Sequence, residues 1–266
     1  MTASCADDSV VVERDGSVAT VRIDRPKVHN ALSLSILRRI GAEISALAES
    51  GSVRAIVLTG TGERVFSAGA DLDEIARLDA DQAVEVMRAG QAIVRGIERC
   101  PIPVIAAVNG LAIGGGFELV LACSFAVAST TAAFSLPEAG LGLIPGYGGT
   151  QRLACVVGPG VARHAMLTGH RITADRAYQL GIIVAAPVAP PELMPLAWEA
   201  AEKIAARGPL ACRAVIDAVD HGVNSSLDAG LAFETSLAAL AIGSAESSEG
   251  IAAFKQKRPP EFGVSV

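Results

Sequence analysis

The stretch of sequence that decides the fold is Asn109-Gly110-Leu111-Ala112-Ile113-Gly114-Gly115-Gly116-Phe117-Glu118-Leu119-Val120-Leu121. Three consecutive glycines open a segment that is apolar on every side, which predicts a helix buried between other layers. One carboxylate, Glu118, interrupts it. Burying an unpaired carboxylate raises its pKa and costs free energy, and the flanking residues supply no arginine. The pattern favours a functional Glu118 over the alternative of a structural ion pair.

The glycines at the start of this helix leave backbone amides open to a ligand. These amides lie at the positive end of the helix dipole, where they can hold a developing oxyanion. Glu118 follows Gly115 by about one turn on the same helix face. A carbonyl group bound at Gly115 would bring the adjoining carbons of its chain within reach of Glu118.

A second carboxylate, Glu138, lies among apolar and glycine residues in segment 134–152. By itself it would be interpreted as an ordinary solvated loop acid. Together with Glu118 it suggests a pair of carboxyl groups with complementary acid and base roles. The glycines of this segment resemble phosphate-binding loops, but neither Gly-x-x-x-x-Gly-Lys nor a complete Gly-x-Gly-x-x-Gly occurs.

The segment from residue 65 to 75 contains a predicted helix start. Asp71 is expected to cap the helix, with Glu74 three residues later completing a capping box. The small residues Ala68, Gly69 and Ala70 precede the cap and leave their amides open to anything that lies against the chain.

Strand and helix patterns alternate around these segments. The predicted elements are a β-hairpin at 10–23, helices at 32–48 and 82–99, and strands at 54–59, 103–108 and 124–129. Beyond about Pro191 only helices are predicted, at 198–206, 210–221, 227–242 and 249–257. The alternation predicts an α/β sheet covered by helices, followed by a helical region.

The charge and hydropathy patterns limit the function classes. The net charge of −6 disfavours nucleic acids and anionic membrane surfaces as partners. No apolar run approaches the ~20 residues of a membrane span, and residues 1–8 are acidic and unlike a secretory signal. A cytoplasmic protein without membrane or nucleic-acid partners is predicted.

Cysteine and histidine spacing gives no sign of a metal site. The five cysteines form no Cys-x-x-Cys pair and are odd in number, so reduced thiols are expected. The four histidines show no ligand spacing, and no metal is predicted.

Residues 67–71, 109–118 and 137–152 together resemble, in order and in separation, the three signature segments of the enoyl-CoA hydratase/isomerase (crotonase) family. Residues 25–32 resemble its early coenzyme A-binding stretch, and residues 254–258 resemble its last helix. The resemblance implies an α/β crotonase-like spiral of ββα repeats with a helical C-terminal trimerisation region. It places a ββα-repeat catalytic core at 1–195 and a helical C-terminal subdomain at 196–266.

The resemblance also implies a set of site residues. Glu118 and Glu138 match the catalytic carboxylates, the amides of Ala70 and Gly115 match the oxyanion hole, and Gly146 matches the glycine beside the catalytic water. The positions that match coenzyme A contacts are Lys27, Val28, His29, Ala68, Asp71, Leu72, Phe254 and Lys257. As charges alone, the two lysines would usually be solvated side chains.

The sequence departs from the family pattern in two places. Ser124 occupies a position where aspartate is usual, which bears on hydrogen bonding near the active helix. Val184 and Ala185 replace a frequent Asn or Asp followed by an acid, in a segment that packs near the acyl end in the family.

The expected reaction is syn addition of water to a trans-2-enoyl-CoA, with no cofactor beyond the coenzyme A moiety of the substrate. Retention of both glutamates favours a hydratase over an isomerase, decarboxylase or acyl-CoA hydrolase on the same scaffold. A non-catalytic scaffold or RNA-binding relative is the alternative from another class. Besides the acyl-CoA substrate, the expected partners are further copies of this chain, in a homotrimer or a dimer of trimers. The reason is that the last helices carry apolar residues that one chain is not expected to cover alone, such as Leu227, Leu231, Phe233, Leu237 and Leu240.

Overall fold

Two sheets and the helices that cover them make up the computed structural model, which describes residues 10–263. The predictions for residues 1–8, and Cys5 among them, lie outside the described residues. The strands within that range are β1 (Val10–Asp15), β2 (Val18–Ile23), β3 (Ala55–Gly60), β4 (Val65–Ser67), β5 (Val104–Val108), β6 (Leu111–Ile113), β7 (Phe125–Ala128), β8 (Ala133–Ser135) and β9 (Ile172–Thr173).

The helices alternate with these strands up to β9 and then follow one another. Within residues 10–263 they are α1 (Leu34–Glu49), α2 (Leu72–Ile75), α3 (Ala80–Glu98), α4 (Gly115–Ala122), α5 (Gly149–Val157), α6 (Pro159–Thr168), α7 (Ala174–Gln179), α8 (Leu193–Ala205), α9 (Pro209–Val223), α10 (Leu227–Ile242) and α11 (Ala245–Gln256). The predicted elements are therefore present, with ends that differ by a few residues.

The first sheet has the strand order β1-β2-β3-β5-β7. β1 and β2 form the predicted hairpin, in which Asp15 pairs with Val18 and leaves Gly16 and Ser17 as a two-residue turn. The φ of Gly16 is +56°, a conformation that such turns require and that glycine adopts readily. All other pairs in this sheet are parallel.

The second sheet has the order β4-β6-β8-β9, and its first three strands are parallel. Each of them directly follows a strand of the first sheet: β4 follows β3, β6 follows β5 and β8 follows β7. A helix comes after each such pair, so the chain advances by repeated ββα units. Consecutive units therefore present equivalent strand ends along one edge.

The first sheet is buried on both faces. Ile56 and Leu58 of β3 face the larger core with α1 and α3, whereas Val57 between them faces α8. Such burial on both sides explains why the parallel strands are apolar runs without alternation. Because α8 packs on this sheet and spans residue 195, the predicted division at 195/196 falls within α8; the division itself stays a prediction.

The last three helices extend beyond the sheets. Neither α9 nor α10 contains a buried residue, and in α11 only Ala253 is buried. Several large apolar side chains are exposed on them, including Val215, Val219, Leu227, Leu240 and Ile242.

The predicted capping box at residues 71–74 is wrong. Asp71 caps α2, but its carboxylate accepts from the amide of Asp73, two residues later. Glu74 instead accepts a hydrogen bond of 2.9 Å from the amide of Leu34, at the start of α1. A single-turn helix leaves the Glu74 side chain free to satisfy an orphan amide of a neighbouring helix.

No helix within residues 10–263 is long and apolar enough to cross a membrane.

The junction between the two sheets depends on Asn109 and Gly110, which connect β5 to β6. Asn109 donates to the carbonyl of Gly62 at 2.6 Å and accepts from the amide of Gly60 at 3.3 Å. Gly110 lies against the backbone of Arg64, where an added Cβ would come within 2.2 Å of the carbonyl group. No side chain fits there without moving one sheet relative to the other.

We expect Gly110→Ala to lower the free energy of unfolding by about 3 kcal/mol, because overpacking against rigid backbone costs this much or more. Gly96→Ala is the matched control, since a Cβ on this exposed helical glycine meets nothing within 4 Å. It should raise stability by about 0.5–1 kcal/mol. Urea unfolding of the two variants measures the difference, and equal midpoints would contradict this account of the junction.

Candidate active site

Three strands of the second sheet end beside one cavity. Ala70 follows β4, Gly115 follows β6, and Glu138 follows β8 at the start of a 3₁₀ turn (Glu138–Leu141). Because the strands are parallel, their carboxyl ends meet at the same edge. All three residues line a cavity of about 280 Å³, and Glu118 lines it as well. The structure therefore brings together the four residues predicted to carry the chemistry.

The amides of Ala70 and Gly115 lie close to each other and are not used by the strand bridge or by the helix. Ala70 forms a parallel bridge with Leu32 that uses the Gly69 carbonyl and the Asp71 amide, so the amide of Ala70 itself points to the opposite side. Gly115 is the first residue of α4, and its amide has no acceptor within the helix. The Ala70 nitrogen lies 3.5 Å from the position a Cβ of Gly115 would occupy. The two amides therefore lie close together beside the cavity, and their role as an oxyanion hole stays a prediction.

This close approach depends on glycine at two positions. The φ of Gly69 is +91°, and a Cβ there would come within 2.6 Å of the carbonyl of Ile113. The φ of Gly114 is +52°, and a Cβ there would come within 2.8 Å of Glu138 Oε1. Larger residues would push apart the strand ends that carry the two amides.

Glu118 is buried on α4 with only 2% of its surface exposed. Its Oε1 accepts hydrogen bonds from the amides of Tyr147, at 2.8 Å, and Gly149, at 2.7 Å. Burial raises the pKa of Glu118 to about 7; the amides oppose this rise, and the charge of Glu138 adds to it. The alternative of a structural ion pair is not what the structure shows, because the direct partners of this carboxyl are amides.

An arginine holds the loop that supplies these two amides. Arg152 Nη1 donates to the carbonyl of Tyr147 at 2.8 Å, and its Nε and Nη2 bind both carboxylate oxygens of Glu98. Glu98 also binds Arg95. Although burial works in the other direction, Arg152 and Arg95 hold the pKa of Glu98 below its usual range. The ion pairs therefore fix the peptide groups that face Glu118.

Glu138 is half-buried on the other side of the cavity. Burial raises the pKa of its carboxyl, and its Oε2 is buried without a hydrogen-bond partner in the part of the chain the structure describes. The backbone amide of Glu138 itself opposes this rise, but burial is the larger effect, so the protonated form is favoured more than in a solvated carboxyl. The alternative of a solvated loop acid is therefore wrong, because this carboxyl lies in the cavity wall.

The remaining cavity wall is apolar. It consists mainly of glycine and of the side chains of Leu72, Ile75, Met87, Ile113, Pro137, Leu141, Leu143, Ile144 and Tyr147. Gly146 also lines it; a Cβ on Gly146 would come within 2.4 Å of Met87 Sδ. The two glutamates are the charged residues of this lining, so the site suits an apolar group with a reactive carbonyl.

A neighbouring cavity of about 460 Å³ adjoins the first, sharing Ala68 and Ile113 with it. His29 lines this second cavity, and its carbonyl accepts from the amide of Ala68 at 3.0 Å. Lys27 and Val28 lie in the exposed 3₁₀ turn (Pro26–Val28) next to it. The predicted coenzyme A stretch is therefore continuous with the cavity that holds the glutamates.

The other predicted coenzyme A contacts lie in different places. Leu72 lines the first cavity, and Asp71 lines a smaller cavity behind it. Phe254 is 84% exposed on α11, and neither it nor Lys257 lines the two cavities of the site. The structure does not bring these last two residues to the glutamates of the same chain.

Sequence reasoning did not single out several residues of the site, among them Arg64, which lines the second cavity, and Tyr147, which lines the first. The only sequence signal for Tyr147 was its position within the glycine-rich segment. Ser124, the departure from the family pattern, accepts a hydrogen bond of 3.2 Å from the amide of Val104 through its hydroxyl. This bond is at the amino end of β5.

Across residues 10–263, no group of three or more His, Cys, Asp or Glu side chains is placed to hold a metal ion.

Known proteins share both the sequence and the fold. The sequence model of the family described as "Enoyl-CoA hydratase/isomerase" matches residues 13–264. The chain is 40% identical to the putative enoyl-CoA hydratase/isomerase YngF of Bacillus subtilis, over 95% of this chain and 96% of that protein. It is 38% identical to the crotonyl-CoA hydratase of Syntrophomonas wolfei, over 97% and 98%. The crystal structure of an enoyl-CoA hydratase from Bacillus anthracis superposes with a TM-score of 0.92 at 37% identity, covering 96% of this chain and 99% of that one.

The repeated ββα units with a helical C-terminal region are the fold of the crotonase class of proteins. This chain belongs to the enoyl-CoA hydratase/isomerase family. The predicted family and the predicted α/β fold with its helical C-terminal region are confirmed.

The raised pKa of Glu118 gives a pH-dependent stability. Between the ordinary carboxyl pKa of 4.5 and about 7, the folded protein keeps a proton that the unfolded chain has lost, so the wild type loses stability as pH rises through this window. Glu118→Gln has no such proton to keep. The difference in free energy of unfolding, variant minus wild type, should therefore increase by about 3 kcal/mol from pH 4 to pH 8. Chemical unfolding at several pH values measures this, with Glu85→Gln on the exposed surface of α3 as control. A stability difference that does not change with pH would refute the proposed burial of the Glu118 charge.

Proposed function

We propose that this chain adds water to a trans-2-enoyl-CoA to give the 3-hydroxyacyl-CoA. The observation that carries the proposal is that Glu118 and Glu138, two carboxyl groups with raised pKa, line one apolar cavity. The backbone amides of Ala70 and Gly115 lie beside them. The similarity to hydratases, among them a crotonyl-CoA hydratase, supports the same reaction.

The thioester carbonyl accepts hydrogen bonds from the amides of Ala70 and Gly115. As water adds to the β carbon, negative charge develops on this oxygen, and the two fixed donors stabilise it. Each such donor contributes on the order of 10²–10³ to turnover in enzymes of this kind. Because the donors are held by strand ends, little reorganisation is needed when the charge appears.

The two glutamates divide the proton transfers. Glu118, whose carboxylate accepts from two amides, takes a proton from water as the water oxygen bonds to the β carbon. Glu138, whose carboxyl has no donor at Oε2, gives its proton to the α carbon. Both groups act from one side of the double bond, which gives syn addition. The two glutamates then return to their starting states by exchange of one proton. Gly146 lines the same cavity, in which the water is proposed to lie.

The coenzyme A moiety extends from this site into the cavity lined by His29 and Arg64. Arg64, His29 and the neighbouring Lys27 supply positive or hydrogen-bonding groups for its phosphates. Ala68 lines both cavities, Leu72 lines the first, and Val28 lies in the turn beside the second, so these three are proposed to flank the coenzyme A moiety, whereas Asp71 lines the smaller cavity behind the first. No cofactor beyond the coenzyme A of the substrate takes part in the proposed reaction. The cytoplasmic location of the protein stays a prediction.

Glu118→Gln and Glu138→Gln should each lower turnover of crotonyl-CoA by roughly 10²–10⁴-fold with little change in thioester binding, because proton transfer is lost and shape is kept. The loss of conjugated enoyl absorbance measures hydration, and product analysis separates it from isomerisation, decarboxylation and hydrolysis. Full activity in either variant would exclude the two-glutamate mechanism and favour another reaction of the family. Binding without any turnover in the wild type would favour the non-catalytic alternative.

The exposed apolar surface of α10 supports the predicted homotrimer or dimer of trimers. Leu227 is 76% exposed and Leu240 67%, whereas Phe233 is half-buried with its ring 4.4 Å from that of His221. The described chain does not place Phe254 and Lys257 at its own site, so their proposed nucleotide contact requires a neighbouring copy.

Light scattering should therefore give a mass of three or six chains at micromolar concentration. Leu227→Glu and Leu240→Glu should shift the mass towards the monomer, since burying either charge at an interface is costly. Glu85→Gln, on α3, is the control. A monomeric wild type would refute the assembly.

A further inference from the structure

The aromatic ring of Tyr147 is inserted between two helices. On one side is Gly90 of α3, where an added Cβ would come within 2.2 Å of Cε1 of the ring. On the other side is Gly115 of α4, where a Cβ would be 3.2 Å from Cε2. Only 4% of the Tyr147 surface is exposed. Two glycines on different helices therefore leave room for this ring and fix its position.

The ring lies between two cavities. One is the 280 Å³ cavity with Glu118 and Glu138, and the other is a cavity of about 200 Å³ between the start of α1, α2 and α3. Three residues line both: Ala70, Ile75 and Tyr147. Ala70 has only a methyl side chain, and its amide belongs to the proposed oxyanion hole. The larger side chains between the two cavities are those of Ile75 and Tyr147.

The smaller cavity is suited to an acyl chain. Its inner wall is formed by Leu32, Leu34, Leu78 and Val86, whereas Asp71, Glu74 and Arg77 are its polar residues. Glu74 and Arg77 are exposed, which places these two polar side chains towards solvent, and the half-buried Asp71 caps α2. A hydrocarbon that passed the ring of Tyr147 would thus meet apolar side chains first.

We propose that the ring of Tyr147 is the wall that ends the acyl cavity and restricts the substrate to short acyl chains. The proposal rests on the proposed hydration of enoyl-CoA thioesters and adds the residue that sets their length. Tyr147 has two separate roles: its amide holds Glu118, and its side chain limits the space. Changing the side chain leaves the amide in place.

The space behind the wall sets the size of the expected change. A dry cavity of ~150 Å³ holds benzene, so ~200 Å³ corresponds to room for about six more carbons. Each methylene that an apolar pocket accepts or refuses changes discrimination by roughly 10-fold or more. Opening the wall should thus act on long chains far more than on a four-carbon chain.

The hydroxyl of Tyr147 is not required for this role. Burial, with the charges of Glu118 and Glu74, raises the pKa of Tyr147 to about 12, so the phenol is neutral at physiological pH. Tyr147→Phe keeps the ring and removes only the hydroxyl. It is the matched control for Tyr147→Ala, which removes the ring.

The experiment measures kcat/KM for trans-2-enoyl-CoA thioesters of four, six, eight and ten carbons. The wild type should lose at least 10-fold from the four-carbon to the ten-carbon substrate. Tyr147→Ala should raise the ratio of kcat/KM for the ten-carbon substrate to kcat/KM for the four-carbon substrate at least 10-fold. Tyr147→Phe should keep this ratio within about twofold of the wild-type value. If Tyr147→Ala does not fold, as circular dichroism would reveal, Ile75→Ala opens the same wall from α2 and should raise the ratio in the same direction.

Calorimetric binding of butyryl-CoA and decanoyl-CoA, which lack the double bond and do not react, separates the inference from the proposed reaction. If decanoyl-CoA binds weakly to the wild type and more strongly to Tyr147→Ala, the role of the ring as a wall is supported even without hydration. A lack of hydration would then refute only the proposed function. A folded Tyr147→Ala with wild-type chain-length ratios in both assays would overturn the inference. An equal shift in Tyr147→Phe would also overturn it.

Discussion

The buried carboxyl of Glu118 is the constraint on which the rest of the site depends. A carboxyl this deep in an apolar helix is tolerated because two amides, those of Tyr147 and Gly149, donate to one of its oxygens. These amides point at it only while Arg152 holds the Tyr147 carbonyl and Glu98 holds Arg152. Since Glu98 is the last residue of α3 and Arg152 lies in α5, the fixed position of the Glu118 carboxyl ties together α3, α4 and α5. The geometry of the reaction centre is therefore also part of how these three helices pack.

Short distances between backbones make the rest of the arrangement possible. Gly69 lies against Ile113, and Gly110 against Arg64, in both cases at distances that no side chain would allow. These contacts bring the strand ends together, which is what the proposed sharing of one carbonyl oxygen by Ala70 and Gly115 needs. The aromatic content of 4% agrees with such an interior, in which small residues allow close contact and the few large rings occupy defined gaps.

The parts of the site that follow from local sequence were predictable. A lone carboxylate in an apolar helix that starts with three glycines identifies Glu118 and the amide of Gly115 without knowledge of distant contacts, and the strand-helix alternation identifies the α/β sheet. Tyr147 was not predictable, because its position depends on Gly90, 57 residues earlier, and a glycine within a helix has no distinctive meaning in a sequence. Arg64 was missed for a similar reason, since only the close contact of β4 and β6 places it in a cavity. The capping box at Asp71 failed because Glu74 satisfies an amide of α1, a tertiary contact that overrides a local motif.

The distribution of roles over the elements has a consequence for how such a protein can change over generations. The groups proposed to transfer protons and to bind the carbonyl oxygen are placed at strand ends and in the first half of α4, where neighbouring backbones hold them. The walls of the acyl cavity come instead from Ile75 on α2, Met87 on α3 and the connection that contains Leu141 and Ile144. Substitutions in these walls alter the shape of the cavity and leave the strand register unchanged. Descendants of such a protein can therefore keep the same glutamates and amides while accepting different substrates. New specificities can arise from substitutions among the residues that line the cavity.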